Sequence, residues 1–226
     1  MAGSTIRGRI AYLDRQRTET GSEYFSFTRY SDGGRTVRCE CHFNDIELVR
    51  DVTFTLDAQW RPIDAYVCIN YRSKALGAGW FRFGGGHVNC DAIDDENLHR
   101  HFARAYSGAK PAFGAHPIFN DGLWTALFDM RRPKEVQCLT DCITYSKQAV
   151  GQESIGIETF DLDLHFLGLE DVVVPAGRFS CRSFAVHLVG LKSPFMIWTH
   201  GDDHIIVKET WDELPFTYEL AEIQGC

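Results

Sequence analysis

Apolar and polar residues alternate through most of the first ninety positions of the chain. The runs TIRGRIAYL, EYFSFTRY, TVRCECHF, DVTFTLD, IDAYVCINYR and GWFRF each set an apolar residue at every second position, the period of a strand with one buried face. Turn-forming stretches separate them: SDGG at 31–34, DAQWRP at 57–62, GAG at 77–79 and GGG at 84–86. Short alternating runs at regular spacing predict an antiparallel meander, barrel or sandwich. From about Ser154 the pattern resumes in ETFDLDLHFLG, DVVVPAGRFSCRSFAVHLVG, PFMIWTH, HIIVKETW and FTYELAEI. Within that part VPAGRF reads as strand, turn and strand, and THGDDHI as a hairpin tip.

The period changes between the two β-rich parts. DDENLHRHFARAY (94–106) begins with acidic residues and sets Leu98, Phe102 and Ala105 at helical spacing, which predicts a helix. A loop, SGAKPAFGAHPIF, leads to NDGLWTALFDM (120–130). There Asn120 or Asp121 is placed to cap a short helix with Leu123, Trp124, Leu127 and Phe128 on its apolar face. The segment from RRPKE to Tyr145 reads as helix or strand. The expected architecture is mainly β, a single domain over 1–226: a meander at 1–92, a helical insert with loops at 93–148, and a second meander at 149–226. Together these form an antiparallel curled sheet, a half-barrel or a sandwich. No low-complexity linker divides them.

Composition narrows the function classes. The chain has 226 residues, 44% of them hydrophobic, enough for a sizeable core. Its net charge is −8, with basic residues scattered, which argues against nucleic acid or an anionic membrane as partner. No apolar run is long enough for a membrane span, and MAGSTIRGRIAYLDRQRTE lacks the pattern of a secretory signal, so a cytoplasmic location is expected. Self-association into a homo-oligomer is left open. The eight cysteines read as reduced structural thiols. Cys39 and Cys41 share a strand face, while Cys138 and Cys142 would face one another on a helix with no further Cys or His to complete a zinc site. A Walker loop, a GxGxxG after a strand, a GxSxG elbow and HExxH are all missing. GAGWFRFGGG lacks the lysine and following helix of a phosphate cradle. Neither a cofactor nor a resident metal is called for.

The stretch VVVPAGRFSCRSFAVHL followed by MIWTHGDDHIIVKETWDELPFTYEL resembles a pattern of uncharacterised bacterial β-proteins. In them a strand precedes VPAGxF, a strand ending in Trp carries a charged tip, and a closing strand ends in YEL. Those proteins are similar to open, lipoprotein-carrier-like half-barrels. The resemblance covers roughly the last third of the chain and implies a sheet curled around a hydrophobic cavity. It implies no catalytic residues.

Candidate chemistry is sparse. His116, in the loop GAHPIFNDGLW, precedes Pro117, which favours an extended backbone. Its imidazole can move a proton near neutral pH, and Asp121 is close enough in sequence to orient it. The alternative is a histidine bonded to a loop carbonyl, with Asp121 as a helix cap. In TVRCECHF, alternation puts Arg38, Glu40 and His42 on one face. That face is the solvent side of a sheet or, if the sheet curls inward there, a general base (Glu40 or His42) with Arg38 beside it. Asp161, Asp163 and His165 form a parallel stripe. His200 and His204 in HGDDH suggest a metal-dependent hydrolase, although turn chemistry accounts for the motif. Trp80, Phe113, Phe119 and Trp124, with Phe81, Phe83 and Trp198, are candidates for a pocket mouth.

The function expected from these features is a cofactor-independent lyase, hydratase/dehydratase or isomerase. It would act by general acid/base chemistry on a small hydrophobic molecule, aromatic or terpenoid/steroid-like. A non-catalytic carrier or sensor of a hydrophobic ligand is the alternative. The discriminating observation is whether His116 meets a second titratable group inside a pocket.

Overall fold

A computed structural model describes residues 3–106, 112–148, 151–212 and 216–225. Eight strands come first: β1 (Ser4–Leu13), β2 (Glu19–Arg29), β3 (Arg35–Phe43), β4 (Leu48–Leu56), β5 (Pro62–Tyr71), β6 (Lys74–Gly84), β7 (His87–Asp94) and β8 (His99–Ala105). Each pairs antiparallel with the next. The short β9 (Phe113–Gly114) and helix α1 (Ile118–Trp124) follow, the helix continuing into a 3-10 turn at Thr125–Leu127. The second set is β10 (Gln137–Thr144), β11 (Glu158–Val174), β12 (Gly177–Leu188), β13 (Phe195–His200), β14 (Ile205–Thr210) and β15 (Thr217–Gln224). β15 pairs with β1, so both meanders merge into one fifteen-stranded sheet with β8 and β9 at its edges.

The sheet curls without closing. Its edge strands share no ladder among the described residues, yet side chains bridge the seam. Phe113 of β9 packs on Phe81 and Phe83 of β6 at 5.3 and 5.5 Å, and an Arg104 guanidinium N–H donates to Thr159 Oγ1 at 3.3 Å. Ile155 fills the same seam. A Cβ on Gly79 would stand 2.5 Å from its Cγ2, so glycine there permits the close approach.

Alternation holds because the curl gives each strand an inside and an outside. In β3, Val37, Cys39 and Cys41 are buried while Arg38 and Glu40 are exposed. Phe25, Phe27, Phe54, Phe81, Phe184 and Ile197 point into the same core. Burying a large apolar side chain contributes roughly 1.5–3 kcal/mol, and the inner face carries dozens of such groups. The seven cysteines among the described residues are free. Burial pushes the Cys90, Cys142 and Cys181 thiols up to about 12, as inert core fillers.

The segment expected to form a helix at 94–106 is instead the end of β7, a turn and β8. Asp94 organises that turn, accepting from the Glu96 and Leu98 N–H groups and from Arg100. Among its described residues the insert at 93–148 therefore holds one short α-helix, and 137–144 is a strand. Cys138 and Cys142 do not face one another on a helix: Cys138 is exposed and Cys142 buried. A bulge at Asp141, with φ 54°, separates them. GAG at 77–79 lies inside β6, because Arg72 and Ser73, at φ 49° and 62°, make the preceding turn without glycine. The hairpins at SDGG, DAQWRP, VPAGRF and THGDDH form where their turn residues place them.

Candidate functional site

Helix α1 lies inside the curl, and all seven of its residues are buried. Its sequence IFNDGLW thus has no solvent face, unlike an amphipathic surface helix. It rests on β14, where Gly122 sits so close that a Cβ would meet Ile206 Cβ at 2.9 Å. Asn120 Nδ2 and Trp124 Nε1 both donate to the Phe113 carbonyl, at 2.8 and 3.3 Å, tying the helix to the edge strand. Thr125 Oγ1 shares a 2.8 Å hydrogen bond with His204 Nδ1, tying its other end to the β13–β14 hairpin.

The first turn of α1 is capped from a distant strand. Glu23 of β2, fully buried, accepts from the Ile118 N–H at 2.7 Å and the Phe119 N–H at 3.0 Å. The Tyr12 hydroxyl also donates to it at 3.0 Å, and Cys41 Sγ at 3.7 Å. Neither Asn120 nor Asp121 caps the helix, as sequence suggested: Asn120 bonds Phe113, and Asp121 points into the interior beside two other acids. Burial pushes the Glu23 carboxyl above its ordinary range, opposed by these donors. Arg50, fully buried on the inner face of β4, across β3 from Glu23, supplies a positive charge to this interior. One of its guanidinium N–H groups donates to the His116 carbonyl at 3.2 Å, and the guanidinium lies 5.5 Å from the Phe43 ring centroid.

A cavity of about 640 Å³ opens at the end of the curl where β1, β3, β10 and β12 finish. Aromatic rings form its walls. Tyr12 meets Phe43 and Tyr218 at 5.0 Å each, and Trp124 meets Phe160 at 5.6 Å. Trp211 lines the same space. Asp45, Asp141, Asp161 and Lys147 occur where the lining reaches loops and strand ends. Asp121 enters the lining from α1, although only 7% of it is exposed. Burial, then the nearby Glu209 and Glu23 carboxyls, hold Asp121 well above the usual carboxylate range. Glu209 of β14, behind Trp211 and Tyr218, is pushed by burial up to about 8. It accepts from Trp211 Nε1, while its Oε2 atom has no hydrogen-bond partner.

The residues singled out from sequence divide cleanly by place. His116, Asp121, Trp124 and Asp161 line the cavity. His116 is not extended as its proline neighbour suggested: its φ is 69°, in the left-handed region that few non-glycine residues adopt. Its Nε2 contacts the Ser146 carbonyl at 3.1 Å and Thr144 Oγ1 at 3.4 Å, and its ring packs edge-on to Tyr145. Phe113 and Phe119 are core residues, Phe119 stacking on Phe25 at 4.2 Å. Arg38, Glu40 and His42 lie on the outer face of β3, where His42 Nε2 and Glu40 Oε1 are 2.7 Å apart. Trp80 is 48% exposed on β6, with Arg82 over its ring. The curl turns this stripe away from the cavity.

His200 and His204 do not converge. His200 Nδ1 engages the Ser180 carbonyl at 2.8 Å, whereas His204 is turned inward to Thr125 and burial lowers its pKa to about 4. Among the described residues no group of three or more His, Cys, Asp or Glu is arranged to hold a metal ion, and no helix is long and apolar enough to cross a membrane.

Sequence reasoning missed Glu23, Arg50 and Glu209. Each carries a signal: it breaks the alternation by placing a charge at an inward position. In ETGSEYFSFTR, Glu23 shares its parity with Phe25 and Phe27. In LVRDVTFTL, Arg50 shares its parity with Leu48, Val52 and Phe54, and in IIVKET Glu209 shares that of Ile205 and Val207.

No family model and no curated protein sequence matches the chain. Solved structures do. A β-barrel-like protein of a domain of unknown function, DUF1849, from Brucella abortus superposes with a TM-score of 0.59 at 9% identity, covering 100% of this chain and 98% of that one. A protein with YmcC-like fold from Bacteroides fragilis gives a TM-score of 0.33 at 11% identity, covering 99% and 100%. A protein from Parabacteroides distasonis gives 0.32 at 9%, covering 98% and 95%. The likeness to the Brucella protein is one of fold, and it runs the length of the chain rather than only its last third.

Proposed function

We propose that the chain binds a small hydrophobic molecule in the cavity at the open end of the curl, as a carrier or sensor. The observation that carries this reading is the cavity itself: about 640 Å³, walled by aromatic rings and floored by a buried helix, within the size range of ligand pockets. His116 favours binding over proton transfer. Its Nε2 meets a backbone carbonyl, which requires a proton on that nitrogen and gives the ring a structural task in holding the 145–146 segment. A second reading, cofactor-independent acid/base catalysis, is favoured by one feature. Asp121 is a cavity-lining carboxyl whose pKa burial raises well above the usual carboxylate range, the direction in which a general acid is tuned.

Fluorescence titration with the apolar probe N-phenyl-1-naphthylamine tests the binding reading. The expected result is saturable one-to-one binding that Leu188→Trp, which obstructs the cavity, weakens at least tenfold. Absence of saturable binding, or binding indifferent to that substitution, overturns the proposal. Following the bound ligand for chemical change separates carrier from enzyme.

A further inference from the structure

The charges beneath the cavity do not balance. Three carboxyls, Glu23, Asp121 and Glu209, interact with one another across the interior, and one buried guanidinium, Arg50, faces them. Glu23 accepts four donors, and its carboxyl is one of the groups acting on Arg50. Glu209 and Glu23 both act on Asp121, Glu23 acts on Glu209, and Arg50 opposes the acids at Asp121. One Glu209 oxygen, fully buried, lacks any hydrogen-bond partner. An orphaned buried oxygen costs about 1–3 kcal/mol, and natural interiors rarely retain one without a reason.

The walls beside these acids are of one kind. Tyr12, Phe43, Trp124, Trp211 and Tyr218 line the cavity around Asp121, and Trp211 and Tyr218 also shield Glu209. Faces of aromatic rings attract cations, most strongly where water is excluded. Asp45, Asp141 and Asp161 contribute to the lining too, while Lys147 lies 3.5 Å from Glu158. The approach is therefore net acidic, which steers cations inward.

We infer that the ligand of this cavity is an organic cation with an apolar body, its ammonium group held between the aromatic walls and the Asp121 carboxyl, with Glu209 buried behind them. This rests on the binding reading above and names the ligand class for the same site. Burial pushes Glu209 up to about 8 and Asp121 well above its ordinary range. The groups facing Glu209 are Asp121 on α1, Glu23 on β2, Tyr218 on β15 and Trp211; Asp121 also faces Arg50, and His116 and Lys147 share the cavity lining with it. A bound cation reverses the balance in favour of ionised carboxyls and displaces a proton to solvent.

Isothermal titration of the full chain with three probes of one chain length tests this: decyltrimethylammonium, decanol and decanoate, at pH 7.5 in two buffers of different ionisation enthalpy. The expected result is at least tenfold tighter binding of the trimethylammonium probe, with release of a fraction of a proton. Asp121→Asn and Glu209→Gln, both near-isosteric, are expected to reduce that preference. Equal binding of all three probes, binding without proton release, or a preference undiminished in both variants overturns the cation inference and leaves the cavity reading standing. Failure of all three probes to bind overturns both. If either variant fails to fold, the wild-type selectivity and proton count decide the question on their own.

Discussion

Arg38, Glu40 and His42 on the outer face of β3, and Glu23, Arg50 and Glu209 on the inner faces of β2, β4 and β14, are similar residues on opposite sides of one sheet. The outer set meets water. Its Glu40–His42 contact at 2.7 Å involves side chains that keep 55% and 33% of their exposure, where solvent takes back most of the attraction. The inner set is wholly buried, so each charge must be matched by a partner, a proton or a ligand. Outside, a charge is a simple way to keep a strand soluble. Inside, it positions α1 through Glu23, anchors the 116 loop through Arg50, and leaves Glu209 and Asp121 as acids in want of a counter-charge.

The contrast is broken most directly at Glu23. Glu23→Ala removes the acceptor for two helix N–H groups and takes away one of the acids that act on Arg50. Leaving a buried donor without its acceptor costs about 1–3 kcal/mol. Urea denaturation is expected to register a loss in that range, and a loss below about 1 kcal/mol would mean that the carboxylate does not hold the helix in place.

Glu209 offers a sharper test because its effect has a direction. Its folded-state pKa of about 8 lies above the ordinary 4.5, so between those values the folded chain keeps a proton that the unfolded chain has released. Stability then falls as pH rises through that window, by at most about 1.4 kcal/mol per pH unit, and levels off above it. Glu209→Gln removes that slope. The difference in urea midpoint between variant and wild type should grow from about pH 5 to about pH 8 in favour of the variant. A difference independent of pH would place the carboxyl in contact with water instead.

These inner charges also mark where sequence and structure part. The β architecture was legible because a two-sided sheet writes its burial directly as alternation. The helix forecast at 94–106 failed for the converse reason. β8 is an edge strand whose residues are nearly all exposed, so no buried face imposes a period, and Leu98, Phe102 and Ala105 fell at helical spacing by chance. In GAHPIFNDGLW, His116, Asp121 and Trp124 were legible as cavity residues because the loop and short helix stand between the two meanders and must cross the open end. Glu23, Arg50 and Glu209 were passed over because polar stripes draw the eye, whereas one charge at an apolar position is a single exception in a run. Which strands curl together decides whether such an exception has partners, and pairing between residues 23, 50, 121 and 209 is a property of the curled shape.

The outer set supplies the smallest effect and the control. Glu40→Ala and His42→Ala should each change stability by less than about 0.5 kcal/mol, with a coupling in the double-mutant cycle no larger than that, fading as salt is raised to about 1 M. Neither substitution should alter binding of an apolar probe, because both side chains point away from the cavity. A coupling well above that bound, or a change in probe affinity, would mean that the outer face of β3 is covered in solution by something that excludes water. The two faces of the sheet would then differ in their partners rather than in their exposure. A negligible coupling leaves burial as the single variable that turns a carboxylate from surface ornament into a determinant of where the helix sits and what the cavity accepts.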